Sequence, residues 1–163
     1  MKRASLTVLI ILLIVPLNSY SEKINEYKLE ERSGIMFVPN QSKPFTWKSV
    51  DYYLYFTNQP KMAESNYKEG ILDGLSSEWY DNGHKKYEGM YKDGIRVGAH
   101  VLWYESGQKG GVINFKNGMK DGKWIKWHEN GQKWTEAIYK DDKLVGKEVE
   151  WDEAGKKRSV AEN

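Results

Sequence analysis

The feature that most constrains this chain is an internal period of 24 residues. Trp79, Trp103, Trp127 and Trp151 recur at that spacing, as do Gly83, Gly107, Gly131 and Gly155. Two further columns keep the register: Gly74, Gly98, Gly122 and Gly146, and the aromatic row Tyr67, Tyr91, Phe115 and Tyr139. Lys61, Lys85, Lys109, Lys133 and Lys157 follow it too. Self-similarity at a fixed short period means one supersecondary unit stacked on copies of itself. The units are 56–79, 80–103, 104–127 and 128–151, followed by a partial copy over 152–163.

Glycine-bearing segments divide each unit, for example Asp81-Asn82-Gly83, and Lys92-Asp93-Gly94 followed by Gly98. Asn-Gly and Asp-Gly reach the positive φ angles of hairpin turns with least strain. The eight glycines at 74, 83, 98, 107, 122, 131, 146 and 155 therefore read as turn residues. Between them, Val101-Leu102-Trp103, Ile125-Lys126-Trp127 and Val149-Glu150-Trp151 alternate in the manner of strands. Tyr87 with Tyr91, Ile113 with Phe115 and Ala137 with Tyr139 do so on the other strand of each unit. The expectation is an all-β fold: an elongated, single-layer antiparallel meander of 24-residue hairpins, about ten strands long. One face would carry a continuous aromatic stripe of Trp79, Trp103, Trp127, Trp151, Tyr67, Tyr91, Phe115 and Tyr139.

The ends depart from the period. Lys2 and Arg3, the apolar run Leu6 to Leu17 and Ser19-Tyr20-Ser21 read as a signal peptide over 1–21, cleaved after Ser21. The run is shorter than the roughly 20 residues that span a bilayer, and Pro16 interrupts it. Export to the periplasm or the medium is the expected outcome. Residues 22–55 are expected to form an N-terminal cap, with strand starts near Arg32 to Phe37 and Phe45-Thr46-Trp47. In the first unit Gln59, before Pro60, stands where later units have the turn glycine.

The formal charge of +2 is supplied by Lys2 and Arg3, so the rest of the chain is balanced. That argues against a phosphate-tracking surface and against nucleic acid as a partner. The absence of cysteine excludes disulfides, Cys-ligated metals and a lipidated N-terminal cysteine. The three histidines occupy different slots: His84 that of Gln108 and Gln132, His100 that of Trp124, His128 that of Tyr80 and Tyr104. A shared metal or catalytic site needs convergence, which this scatter argues against. Glu64, Glu88 and Glu136 share one slot, and Glu105, Glu129 and Glu153 share another with Asp81. Recurring carboxylates of this kind read as solvated face or turn residues rather than an acid–base pair. No turn has the Lys-Ser or Lys-Thr ending of a P-loop, and no nucleophile elbow is visible. No enzyme, metal or cofactor is expected.

The strings Trp79-Tyr80-Asp81-Asn82-Gly83, Tyr91-Lys92-Asp93-Gly94, Lys120-Asp121-Gly122-Lys123-Trp124 and Glu129-Asn130-Gly131-Gln132-Lys133 resemble the bacterial variant of the MORN (membrane occupation and recognition nexus) repeat. Such repeats also occur in proteins labelled antitoxin-like. Pro44-Phe45-Thr46 is similar to their lead-in segment, with Trp47 where they often have glycine. The resemblance implies an elongated sheet that binds proteins or lipids without chemistry of its own. A protein-interaction scaffold is the first expectation. A binder of cell-wall glycan or choline-type ligands is the second, because Trp and Tyr hairpins also build aromatic cages. A lipid surface, or an immunity-like role outside the cytoplasm, follows from the family resemblance alone.

Overall fold

The computed structural model describes residues 5–8, 29–53 and 61–162. The expected signal cleavage site at Ser21 and the Gln59-Pro60 turn lie outside the described residues. The strands are β1 (Ser5–Val8), β2 (Glu30–Arg32), β3 (Ile35–Phe37), β4 (Trp47–Tyr53), β5 (Lys61–Lys68), β6 (Ile71–Trp79) and β7 (Lys85–Lys92). They continue as β8 (Ile95–Trp103), β9 (Lys109–Lys116), β10 (Met119–Trp127), β11 (Lys133–Lys140), β12 (Lys143–Leu144), β13 (Lys147–Trp151) and β14 (Lys157–Glu162).

Twelve of them form one antiparallel sheet in the order β1-β4-β5-β6-β7-β8-β9-β10-β11-β13-β14, with β12 beside β11; β2 and β3 pair separately. This is the expected meander, two strands longer because β1 and β4 extend it beyond the repeats. Cleavage after Ser21 would remove β1 and leave β4 as the edge.

Two kinds of turn run along the two margins of the sheet. On one, Asp93 and Gly94 both take positive φ (48° and 77°), the geometry whose twist matches that of paired strands. Each such turn is tied to the previous one: Gly94 N–H donates to the Leu72 carbonyl (2.8 Å), Gly118 N–H to Arg96 (3.0 Å) and Asp142 N–H to Lys120 (3.0 Å). On the other margin lie the turns of Gly83, Gly107, Gly131 and Gly155, with φ of 86°, 86°, 86° and 77°. There the Tyr80 hydroxyl donates to the Trp103 carbonyl (2.8 Å) and Tyr104 to Trp127 (2.7 Å). These ties replace the missing second layer, so stability accumulates from unit to neighbouring unit.

The expectation that Gly74, Gly98, Gly122 and Gly146 are turn residues is corrected for the first three. Gly74, Gly98 and Gly122 lie inside β6, β8 and β10, and Gly146 between β12 and β13. Between the pairs Ser65↔Ser76 and Tyr67↔Leu72, β5 advances by two residues and β6 by four. The surplus backbone bulges, and Gly74 takes φ 117° there.

These bulges expose a longer period of 48 residues. Asn66 and Asn114 donate from Nδ2 to the Leu75 and Lys123 carbonyls (2.6 and 2.8 Å), and Gly74 and Gly122 share φ of 117° and 110°. Asp73 and Asp121 accept from Lys92 and Lys140 at 2.7 and 2.5 Å. In the units between, Met90 and Ile138 replace the asparagine, Val97 and Val145 the aspartate, and Gly98 and Gly146 turn to 70° and 81°. The structural repeat is a pair of unlike hairpins.

The cap imitates a unit. Gly70 N–H donates to the Phe45 carbonyl, and the Gly70 carbonyl accepts from Met36 N–H at 2.9 Å. Phe45 and Val38 are buried with Leu29, Met36 and Tyr67 against them, the Phe45 and Tyr67 rings 5.8 Å apart. The Arg32 to Phe37 segment is a hairpin turning at Ser33 and Gly34 rather than the start of one strand.

Candidate functional site

Strand register divides the aromatic residues between the two faces, which corrects the expected single stripe. Gly98↔Phe115, His100↔Ile113 and Leu102↔Gly111 are cross-strand partners, so these side chains share a face and Trp103, next after Leu102, points away from it. The same count holds for Tyr91 against Trp79 across β6 and β7, and for Tyr139 against Trp127 across β10 and β11. Trp79, Trp103, Trp127 and Trp151 form a tryptophan face. Tyr91, Phe115 and Tyr139 belong to a tyrosine face, while Tyr67 packs on the cap.

The tyrosine face is a packed cluster. His100, only 2% exposed, receives a hydrogen bond from the Tyr87 hydroxyl at Nδ1 (2.6 Å) and donates from Nε2 to the Met90 carbonyl (3.0 Å). Its ring lies 5.3 Å from Tyr91 and 4.8 Å from Phe115. Burial holds its pKa below the usual histidine value, opposed by the Met90 carbonyl and assisted by the charge of Arg96. Burial and the Tyr91 hydroxyl push the Tyr87 phenol above its ordinary value. Further along, Trp124 meets Tyr139 edge-on at 5.4 Å, and Lys120 lies 4.9 and 4.8 Å from those two rings. These rings pack on one another and under cations, which is the stabilisation by cross-strand pairs that an unlayered sheet needs.

The tryptophan face is organised by a bulge at each strand end. Trp79 pairs with Lys85 while Glu78 pairs with Tyr87, so Lys86 is an extra residue. In an unbulged strand, residues three apart point to opposite faces; the bulge brings Lys85 and Glu88 together at 2.5 Å. Lys61 pairs with Glu64 (2.6 Å) and Lys133 with Glu136 (2.5 Å) in the same way. Each clamped ammonium lies over the tryptophan ending its unit: Lys61 over Trp79 at 4.9 Å, Lys85 over Trp103 at 5.6 Å and Lys133 over Trp151 at 5.0 Å. Burial raises the Glu64 carboxyl, but Lys48 and Lys61 outweigh it and the pKa falls below the usual range. The Lys133 hydrogen bond leads the same lowering at Glu136. Both are held ionised, the opposite of what a general acid needs.

The third unit breaks this pattern, since Val112 occupies the glutamate slot. Val112 is the cross-strand partner of Val101 and of Ile125, which gives an apolar row across β8, β9 and β10 bounded by Glu88 and Glu136. The sequence contained the signal for this site: one valine in a column of glutamates.

The histidines do not converge. His84 bonds the Glu105 carbonyl through Nδ1 (2.8 Å), and His128 donates from Nε2 to the Trp151 carbonyl (2.8 Å), the bond that Tyr80 and Tyr104 make in their own units. Among the described residues no three His, Asp or Glu side chains are grouped to hold a metal ion. Glu105, Glu129 and Glu153 are exposed at turns.

An open repeat sheet with a packed aromatic face and a clamped tryptophan face is a repeat architecture in which each unit leans on its neighbours. The model of the MORN repeat variant matches residues 72–93 and 120–141, so the chain carries MORN-variant repeats at these two places. Repeats of this family commonly take part in protein or membrane binding and are generally non-catalytic. The two matched stretches are one 48-residue period apart, each starting beside Asp73 or Asp121 and running into the next unit. No curated protein matches the chain.

Proposed function

We propose that the protein is an exported, non-catalytic scaffold that binds another protein on its open sheet. The observation that carries this reading is apolar surface left without a covering layer. Leu75 and Met90, cross-strand partners, are both exposed, as is Ile138 on the same face, and the apolar row around Val112 lies between Glu88 and Glu136. Contiguous apolar surface rimmed by charge is characteristic of interaction sites. Export is supported by the basic start, the apolar run Leu6 to Leu17 and the small residues ending at Ser21.

A cage for choline-type ligands gains less support, because Lys61, Lys85 and Lys133 already sit on Trp79, Trp103 and Trp151 and a quaternary amine would have to displace them. An immunity-like role outside the cytoplasm is a special case of protein binding. The test is affinity capture from the exported fraction of cells expressing the tagged chain. The captured bait should begin at Glu22 by intact mass. Trp103→Ala combined with Trp127→Ala, with folding checked by circular dichroism, should retain at least tenfold less partner. Unchanged capture by the folded double variant would reject the scaffold reading, and a bait retaining Met1 would reject export.

A further inference from the structure

We infer that the third unit of the tryptophan face is a docking site for a segment of a partner protein that presents a carboxylate to Lys109 amid apolar side chains; this rests on the scaffold reading above. In the other three units the glutamate clamp fixes the lysine on the ring that ends the unit. With Val112 in that slot, Lys109 is exposed and, among the described residues, makes no ion pair and covers no ring. Trp127 is the one tryptophan of its column without a cation over it among the described residues. One substitution thus frees a cation, uncovers an indole and joins Val101, Val112 and Ile125 into a single row.

The charge of this place selects its occupant. Glu88 is paired with Lys85, and Glu136 with Lys133 and with Lys123 at 3.7 Å, so the acids at both ends of the row are taken and Lys109 is a cation beside it with no ion-pair partner among the described residues. A carboxylate brought by a partner does what a glutamate at position 112 would do: it pairs with Lys109 and steadies the ammonium over Trp127. Apolar residues beside that carboxylate cover Val101, Val112 and Ile125. A cationic segment finds the acids at both ends of the row already paired and meets Lys109 head-on. Ion pairing at such a rim sets orientation and partner choice, while the apolar row and the indole supply the contact area.

The decisive variant is Val112→Glu, which installs the clamp already present in the other three units. A display library of random twelve-residue peptides is selected in parallel on the full chain, on this variant and on Lys109→Met, with thermal melts confirming that each is folded. The full chain should enrich peptides bearing Asp or Glu between apolar residues. A synthetic representative, followed by tryptophan fluorescence, should bind at least tenfold more weakly to both variants, and to the full chain when its acid is changed to the amide. Enriched peptides that lack an acid, or that bind Val112→Glu equally well, overturn the docking site. If those peptides still require Trp103 and Trp127, the scaffold reading survives. If nothing is enriched, the docking site is overturned, and the capture experiment alone decides the scaffold.

Discussion

Gly70→Ala should destabilise the protein by about 3 kcal/mol and unseat its N-terminal cap, whereas Gly83→Ala should cost only about 1 kcal/mol. Both glycines have positive φ, 77° and 86°, so both substitutions carry the penalty of about 1–2 kcal/mol that an L side chain meets in the left-handed region. They differ in what a Cβ would touch. At Gly83 nothing lies within 4 Å, while at Gly70 it would fall 2.6 Å from the Met36 carbonyl oxygen and 2.8 Å from the Met36 nitrogen. Those atoms are backbone and cannot rotate away. Met36 N–H bonds the Gly70 carbonyl and Gly70 N–H bonds Phe45, so relieving the collision breaks the seam between cap and first repeat. Phe45 and Val38 then lose their cover at Tyr67. Urea melts give the two costs, and limited proteolysis should show new cleavage between Leu29 and Phe45 in Gly70→Ala alone. Equal losses for the two variants, with the cap still protected, would refute this account of the seam.

The 24-residue period, the hairpin turns and the order of the strands were legible in the sequence because each rests on local chemistry. Asp93-Gly94 and Asn82-Gly83 select turn geometry by themselves, and β-branched or aromatic residues between them leave little choice but strands. Which residues share a face was not legible. Alternation within a strand fixes relative sides there, but Tyr91 and Trp103 are on different strands, and their relation depends on the register Glu88↔Val101 and the bulge beside it. Lys85 and Glu88, three apart, look like opposite faces by simple counting; the extra residue Lys86 makes them neighbours. Gly98 was misplaced for a related reason. A glycine at positive φ serves a strand bulge as well as a turn, and sequence spacing does not separate the two.

The 48-residue period, by contrast, was available to sequence reading and is explained by the structure. Asn66 with Asn114 and Asp73 with Asp121 alternate with Met90, Ile138, Val97 and Val145 because two bulge geometries alternate along the sheet. The candidate docking site has the same origin. Its defining residue, Val112, gains meaning only once the glutamates of its column are known to clamp lysines over tryptophans.

His100 makes the fold sensitive to mild acid, and His100→Phe should remove that sensitivity. The neutral ring fits its surroundings: Tyr91 bonds the Tyr87 hydroxyl (2.9 Å), Tyr87 donates to Nδ1, and Nε2–H donates to the Met90 carbonyl. An added proton places a charge in a cluster otherwise made of Tyr87, Tyr91 and Phe115, with Arg96 the nearby cation and no acid bonded to the ring. Because the folded pKa lies below the unfolded value of about 6.5, the unfolded chain takes up the proton first. The contribution of His100 is therefore complete above that value and is lost as pH falls from about 7 towards the folded pKa, at up to about 1.4 kcal/mol per pH unit. Glu64 and Glu136, also held below their ordinary values, act in a separate window, since their contributions are lost only below about pH 4.5. His100→Phe keeps a ring against Tyr91 and Phe115 but loses two hydrogen bonds, which should cost about 1–3 kcal/mol at pH 8. Urea melts of both proteins at pH 5, 6, 7 and 8 provide the check. The stability difference should shrink steadily as the pH drops, because only the native histidine is being titrated. A difference that stays constant from pH 8 to pH 5 would mean that the buried imidazole accepts its proton without penalty.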